Sequence, residues 1–246
     1  MGFVPSAPSL DVDAIFMKMV HQRKGGYCFE HNGLMSALLQ SLGYKLYASG
    51  ANVVRGNSEA AARGQVDLKG YSHEVLIVRG PEDDRWRLLD AGFGGITPTQ
   101  PLVLQHPADD SFTGDTVFRV RRGMLGRVEP PSKEELESEP HACGWYMQRY
   151  SHTAKQWQDQ YFFREVENTS GDFVVMNWAV ATDPAKGFYH TLMMGIQQPD
   201  GGRVTVVDDI LRVFKSNEDV EEQTLETPEL FQAALAEYFS ITPVGT

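Results

Sequence analysis

The chain has 246 residues, of which 41% are hydrophobic and 22% charged, a composition typical of a globular protein of one large or two modest domains. Its formal net charge of −11 argues against nucleic acid as the main partner, because a nucleic-acid-binding surface is basic. The sequence shows no secretory leader and no apolar run long enough to span a membrane, so we expect no membrane association, a cytoplasmic location and two reduced cysteines, Cys28 and Cys143.

The N-terminal part of the sequence predicts two helices. Apolar residues in the segment 10–21 recur at helical spacing, with Ser9 or Asp11 as the cap. A second helix is predicted from about residue 28 to residue 42, where Gly43 is a suitable terminator. The apolar stripe predicted for this helix consists of Phe29, Leu34, Met35, Leu38, Leu39 and Leu42.

Most of the remaining chain has β patterns, with an acidic exposed helix predicted at 132–139 and a closing helix at 227–239. Two hairpins are expected, one between 72–78 and 85–89 and one with a tight turn at Asp208 and Asp209. The order of helices, then many strands, then a mixed end favours an α+β fold. The predicted strands are 45–54, 72–78, 85–89, 117–120, 160–165, 173–178, 189–196, 203–207 and 210–214.

Cys28 directly follows Gly25, Gly26 and Tyr27 at the predicted start of the second helix. Backbone N–H groups at a helix N-terminus favour negative charge, which makes a thiol there easier to ionise to the reactive thiolate. Taken alone, a cysteine in this position is more often a small buried apolar residue than a nucleophile. A nucleophile therefore requires a base and an orienting acceptor elsewhere in the chain.

The first predicted hairpin contains both groups. If Val78 faces Arg85, His73 falls opposite Asp90 at a cross-strand distance that allows a hydrogen bond. A one-residue slip would place them on opposite faces, in which case His73 is a strand histidine and Asp90 a turn former. In the first register, Cys28, His73 and Asp90 form a candidate catalytic triad.

Three segments carry a more specific pattern. They read RKGGYCFE at residues 23–30, SHEVLI at 72–77 and LDAGFG at 89–94. In this order they resemble the signature blocks of the arylamine N-acetyltransferase family, and the likeness extends from about Leu10 to the C-terminus. Three blocks together with a Cys-His-Asp set are more specific than any one of them.

The resemblance implies an α+β fold with a cysteine-protease-like Cys-His-Asp core. It divides the chain into a partial N-terminal helical domain at residues 1–43 that carries the nucleophile, an antiparallel β-barrel-like domain at 44–150 with His and Asp of the triad, and a C-terminal α/β lid at 151–246. The chain starts close to the helix that precedes the cysteine, whereas the family pattern begins with further helical turns. We therefore expect a remnant N-terminal helical bundle with exposed apolar surface.

The resemblance also implies a ping-pong acyl transfer from acetyl-CoA to the nitrogen of an arylamine or arylhydrazine, or to the oxygen of an arylhydroxylamine. Cys28 would carry the acetyl group as a thioester, His73 would hold the thiolate as an ion pair and relay protons, and Asp90 would orient His73. The expected role is xenobiotic metabolism. The family's turn beside the cofactor and acceptor pocket corresponds to Gly92, Phe93 and Gly94.

Two further positions near the cysteine carry expectations. Lys24 stands where the family usually has Arg, and lysine keeps the charge but lacks the bidentate fork expected at a buried ion pair. His31, three residues after Cys28, is predicted to be an exposed helix histidine. The remaining histidines have no zinc-binding spacing, so no metal is expected.

Other functions are also consistent with the sequence. One is a related amide synthase that uses the same triad. A transglutaminase-like or papain-like hydrolase shares the triad order, although its local motifs fit less well. The third is a catalytically impaired form that binds CoA, an aromatic ligand or a protein partner, which the shortened helical region suggests.

Overall fold

A computed structural model describes residues 6–56, 63–80, 83–105, 111–113, 116–152, 154–184, 187–199, 202–215 and 219–241. Within this part of the chain there are two antiparallel sheets. In chain order, helices come before the larger sheet, between its last strand and the smaller sheet, and after the smaller sheet. The predicted α+β class is therefore confirmed. No helix in these residues is both long and apolar enough to cross a membrane.

Two helical segments begin the chain. Helix α1 (Val12–Phe16) is capped by Asp11, whose carboxylate accepts a 2.9 Å hydrogen bond from the Ala14 N–H, and it continues into a π-helical turn, Met17–His21. Helix α2 (Cys28–Ser41) ends before Gly43, which has a left-handed φ of 84°. Both predicted helices and the Asp11 cap are thus present.

The predicted apolar stripe of α2 is confirmed at Phe29 and wrong at Leu38 and Leu42, while Leu34, Met35 and Leu39 are half-buried. Leu38 and Leu42 are 52% and 64% exposed. The fully buried side chains all lie in the first turn and a half of the helix. The buried residues of α2 are Cys28, Phe29, Glu30 and Asn32.

The larger sheet has eight strands among the described residues, in the order β4-β3-β2-β1-β8-β7-β6-β5. Strand β4 comes close to β6, so the sheet nearly closes on itself, as the barrel-like prediction requires. Its inner face holds a core rich in aromatic and β-branched side chains. The strands are β1 (Lys45–Val54), β2 (Leu68–Arg79), β3 (Trp86–Leu89), β4 (Leu102–Val103), β5 (Ser111–Thr113), β6 (Thr116–Met124), β7 (Cys143–Ser151) and β8 (Gln156–Phe163).

Strand β8 belongs to this sheet, although it lies beyond the boundary expected at residue 150. It pairs with β1 and β7, so the sheet brings together segments from the first and second halves of the chain. The three-part division of the chain stays a prediction. Strand β7 had no counterpart among the predicted strands.

The smaller sheet has the order β12-β11-β10-β9. Helix α6 (Pro228–Phe239) is capped by the Thr227 hydroxyl and buries Ala234 against this sheet. The predicted turn at Asp208 and Asp209 is present, since Val207 pairs with Ile210. The strands are β9 (Met193–Gln197), β10 (Arg203–Val207), β11 (Ile210–Phe214) and β12 (Val220–Thr224).

The strand predicted at 173–178 is wrong, because these residues lie in helix α4 (Ser170–Thr182). Thr169 caps this helix, and the Asp172 carboxylate accepts a 2.7 Å hydrogen bond from the Thr169 N–H. Its buried side chains recur at helical spacing and face α2 and the large sheet. The acidic helix is confirmed as α3 (Lys133–Ser138), and the start of the predicted strand 189–196 lies instead in α5 (Gly187–His190).

Candidate active site

Cys28 is the first residue of α2 and is buried. The Glu30 carboxylate accepts a 3.3 Å hydrogen bond from the Tyr27 N–H and forms an ion pair with Lys18 at 2.7 Å. These two contacts fix the first turn of α2. The expectation for Lys24 is wrong, because Lys24 is exposed and Lys18 supplies the cation at this buried carboxylate. The glycines before Cys28 thus lead into a helix start that is fixed by charged hydrogen bonds.

A β-bulge lies next to His73. Ala51 pairs with His73 but Asn52 pairs with Tyr71, so Ser72 is an extra residue in β2. Bulges bend a strand and re-aim its side chains, and they are common beside active sites. Here the bulge leaves the Ser72 carbonyl oxygen 4.0 Å from Sγ of Cys28.

The predicted hairpin forms, with a register that differs from the predicted one by two residues. Val78 pairs with Arg87 rather than Arg85. A two-residue shift leaves every side chain on its original face, because side chains alternate with a period of two. Nε2 of His73 therefore still lies 2.7 Å from Oδ2 of Asp90, although the two residues are not directly opposite.

Asp90 accepts hydrogen bonds from four groups. Besides His73, the Gly92 N–H donates to Oδ1 over 2.9 Å, Nδ2 of Asn32 donates to Oδ1 over 3.1 Å, and the Tyr161 hydroxyl donates to Oδ2 over 2.9 Å. Burial, followed by the charge of Asp90, raises the pKa of Tyr161 well above its usual value, so this hydroxyl stays a donor. A fully buried carboxylate needs such donors to remain ionised.

The electrostatics of the pair favour a protonated His73. Complete burial alone would lower the pKa of His73, but the charge and hydrogen bond of Asp90, assisted by a hydrogen bond with Cys28, raise its pKa to about 10. Burial would raise the pKa of Asp90, and the charge of His73 with the hydrogen bonds from its neighbours lowers it instead. Because Asp90 engages Nε2, Nδ1 is the ring nitrogen left for the Cys28 thiol.

The turn after Asp90 lies directly against the cysteine. A Cβ atom on Gly92 would come 2.5 Å from Cα of Cys28, so this approach requires glycine. The Phe93 ring contacts the His73 ring edge-to-face, with centroids 4.9 Å apart, and it also contacts Tyr161 at 4.8 Å. The turn and the three triad residues therefore form one compact cluster.

This cluster lies within a chain whose residues 4–244 match a family model described as N-acetyltransferase. The chain is also 29% identical over 238 residues to the arylamine N-acetyltransferase of Escherichia coli (strain K12), a match that covers 97% of this chain and 74% of the relative. It belongs to the arylamine N-acetyltransferase family.

Other members of the family show the same relationship. The Mycobacterium tuberculosis (strain H37Rv) arylamine N-acetyltransferase is 32% identical over 191 residues, which is 78% of this chain and 58% of the relative. The structure of the Mycobacterium marinum arylamine N-acetyltransferase in complex with CoA superposes with a TM-score of 0.78 at 27% identity, covering 96% of this chain and 77% of that one. The matched part is therefore 58% to 77% of the length of these relatives.

Two residues that hold Asp90 had no predicted role. Asn32 is fully buried four residues after Cys28, on the same face of α2, and its Oδ1 accepts a 2.8 Å hydrogen bond from the Ala91 N–H. That spacing is the signal that could have identified it. Tyr161 lies on β8, and no local pattern connects it with Asp90.

His31 is half-buried rather than exposed as predicted, and burial lowers its pKa. An interaction with the Gly26 backbone acts against this lowering of the pKa of His31. Among the described residues, no group of three His, Cys, Asp or Glu side chains is arranged to hold a metal ion.

Proposed function

We propose that this chain transfers an acetyl group from acetyl-CoA to the nitrogen of an arylamine or arylhydrazine, or to the oxygen of an arylhydroxylamine. The observation that carries the proposal is the buried Cys28, His73 and Asp90 cluster in a member of the arylamine N-acetyltransferase family. The CoA complex of the Mycobacterium marinum relative supports acetyl-CoA as the donor.

In the first half-reaction, the Cys28 thiolate attacks the carbonyl carbon of acetyl-CoA. A C–S bond to Cys28 forms, the C–S bond to coenzyme A breaks, and protonated His73 gives a proton to the departing CoA thiolate. The raised pKa of His73 supports this role, because the imidazole holds its proton at neutral pH. The Cys28 N–H, at the N-terminus of α2, is our candidate donor to the developing oxyanion.

In the second half-reaction, the acceptor nitrogen attacks the carbonyl carbon of the Cys28 thioester. The new C–N bond replaces the C–S bond, neutral His73 takes the proton from nitrogen, and the resulting imidazolium again faces the Cys28 thiolate. Asp90 keeps Nε2 of His73 engaged throughout, so the ring retains its orientation.

We assign Gly92, Phe93 and Gly94 to the wall of the cofactor and acceptor pocket. The close approach of Gly92 to Cys28 and the contact of Phe93 with His73 support this assignment. An aromatic acceptor would find the half-buried Phe93 ring beside His73, next to the thioester carbon.

Intact-mass measurement after incubation with acetyl-CoA tests the proposal. We expect the protein to gain one acetyl group and to lose it when an arylamine is added, with formation of the N-acetyl product. Cys28→Ala should gain none, whereas Cys143→Ala should behave as the parent chain, because Cys143 is buried away from the triad and contacts the Glu135 carbonyl.

Two outcomes would contradict the proposal. If the unaltered chain binds CoA but is never acetylated, the hypothesis of a catalytically impaired form replaces the proposed acetyl transfer. If an added peptide amide is hydrolysed while acetyl-CoA does not react, the hydrolase hypothesis replaces the proposed acetyl transfer.

A further inference from the structure

The turn beside Cys28 has a second contact, on the side away from α2. Residues Gly94–Ile96 form a 3-10 turn that lies against β9 and β10 of the smaller sheet. The same short segment therefore touches the nucleophile helix through Gly92 and the smaller sheet through Gly95.

The contact with the smaller sheet is between two glycines. A Cβ atom on Gly195 would come 2.6 Å from the backbone nitrogen of Gly95 and 3.0 Å from its Cα, and a Cβ atom on Gly95 would come 2.7 Å from Cγ2 of Thr205. Gly195 is therefore closed to any other residue unless the backbone shifts, whereas a side chain at Gly95 would require Thr205 to move. The distance between the turn and β9 is thereby set by backbone contact and not by adaptable side chains.

Gln197 adds hydrogen bonds at the same place. It lies two residues after Gly195, and so on the same face of β9. Its Nε2 donates to the Gly95 carbonyl over 2.9 Å and lies 3.4 Å from the Thr97 carbonyl. The Thr97 N–H in turn donates to the Gly94 carbonyl over 3.2 Å, so one amide group braces both ends of the 3-10 turn.

We propose that Gln197 is a positioning residue for acyl transfer, which it supports by fixing the turn that contacts Cys28 and His73. Gly195 sets the distance at which it acts. This inference rests on the proposed acetyl transfer and adds that the smaller sheet takes part in it. The side chain of Gln197 contacts the turn at Gly95, and a displacement of Gly95 would move Phe93 and Gly92, which lie two and three residues earlier.

The geometry distinguishes this role from that of the triad. The hydrogen bonds of His73 and Asp90 involve α2, β8 and the residues next to Asp90, and none of them involves β9. Loss of the Gln197 amide should therefore misplace the turn and the substrates against it, while the charged state of Cys28 and His73 is kept.

Two variants of the full chain test the proposal, each with a matched control. Gln197→Met keeps the length of the side chain and removes its donor, and Gln223→Met makes the same change on an exposed position of β12. Gly195→Ala adds the obstructing methyl group, and Gly70→Ala adds one to an exposed strand glycine with no heavy atom within 4 Å of its Cβ position.

We expect acetylation of Cys28 by acetyl-CoA to slow by about tenfold in Gln197→Met, the effect of one lost hydrogen bond on a barrier, and by about a hundredfold in Gly195→Ala. The KM for acetyl-CoA should rise with the loss of kcat. The pH profile of Cys28 alkylation by iodoacetamide should be unchanged in Gln197→Met, and both controls should match the parent chain.

Equal acetylation rates in Gln197→Met and Gln223→Met would overturn the inference. A parallel loss of acetylation, alkylation and thermal stability in Gln197→Met would also overturn it, because that pattern indicates a general structural role. If the parent chain is not acetylated at all, the proposed function fails and with it the role in acyl transfer. The contact of Gln197 with the turn is then tested by amide hydrogen exchange in residues 94–97, which should be faster in Gln197→Met than in Gln223→Met.

Discussion

The Tyr161 hydroxyl donates to Oδ2 of Asp90, the same carboxylate oxygen that lies 2.7 Å from Nε2 of His73. Strand β8 thereby helps to hold the partner of His73, although Tyr161 lies 71 residues after Asp90 in the chain. With Asn32 and the Gly92 N–H on the other oxygen, the carboxylate is held from three separate elements. Such a network keeps a buried charge both ionised and immobile.

Removing the Tyr161 hydroxyl should destabilise the fold. Tyr161→Phe leaves the ring in place but withdraws one donor from a buried carboxylate, so the free energy of unfolding should fall by about 1–3 kcal/mol. Urea unfolding at neutral pH measures this. Tyr189→Phe, at a more exposed ring, is the control and should change stability by less than about 0.5 kcal/mol. Equal effects of the two substitutions would show that the Asp90 contact contributes nothing.

His73 should control the reactivity of the thiol. Because His73 keeps its proton up to a pH of about 10, the imidazolium can stabilise the Cys28 thiolate throughout the neutral range. His73→Ala should lower the rate of iodoacetamide alkylation at neutral pH by at least about tenfold, with the rate recovering as pH rises. A rate-against-pH profile identical to that of the parent chain would contradict the ion-pair assignment.

Gly92 should tolerate no side chain. Gly92→Ala places a methyl group 2.5 Å from Cα of Cys28, so either the turn or the helix start must move. We expect acetylation of Cys28 to fall by about a hundredfold and stability to fall by about 1–3 kcal/mol. Gly56→Ala, where no heavy atom lies within 4 Å of the Cβ position, is the control. A Gly92→Ala protein that is acetylated as fast as the control would refute the close packing of the turn on Cys28.

Glu74 should make stability depend on pH. It is buried on the face of β2 opposite His73, and burial, opposed by the charge of His73 and assisted by that of Asp90, raises its pKa from 4.5 to about 8. Between these two values the folded chain holds a proton that the unfolded chain has lost, so this residue makes stability fall as pH rises.

Glu74→Gln removes this titration. The variant should gain stability relative to the parent chain as pH rises from about 4.5 to about 8, and the gain should level off above that range. Urea unfolding across this range measures it. Glu226→Gln, on an exposed side chain, should show no such trend. A constant difference between Glu74→Gln and the parent chain would mean that Glu74 is ionised in the fold.

Local patterns were reliable where a single segment decides its own conformation. The strand predicted at 45–54 has the bounds of β1, and those predicted at 203–207 and 210–214 have the bounds of β10 and β11. The strand predicted at 173–178 was wrong because its run of apolar residues is compatible with either a strand or a buried helix. The helix is favoured by the Thr169 cap at its start and by the burial of its apolar side chains against the large sheet.

The candidate triad survived an error in the register because of the two-residue period of a strand. The predicted pairing of Val78 with Arg85 and the observed pairing with Arg87 place His73 and Asp90 on the same face. A shift of one residue would have separated them. The identities of His73 and Asp90 and the alternation of side chains were therefore sufficient to propose their contact. The exact register of the two strands was not needed.

The α+β class, the helix that begins at Cys28 and the residues of the candidate triad could be predicted from the chain, because they depend on local spacing and on side chains that carry specific chemistry. The tertiary structure alone revealed the bulge at Ser72, the ion pair of Lys18 with Glu30, and the support of Asp90 by Asn32 and Tyr161. It also decided that the smaller sheet reaches the Cys28 turn through Gly195 and Gln197. These contacts join segments far apart in the chain, and their partners are selected by packing and register, which no short stretch of sequence encodes.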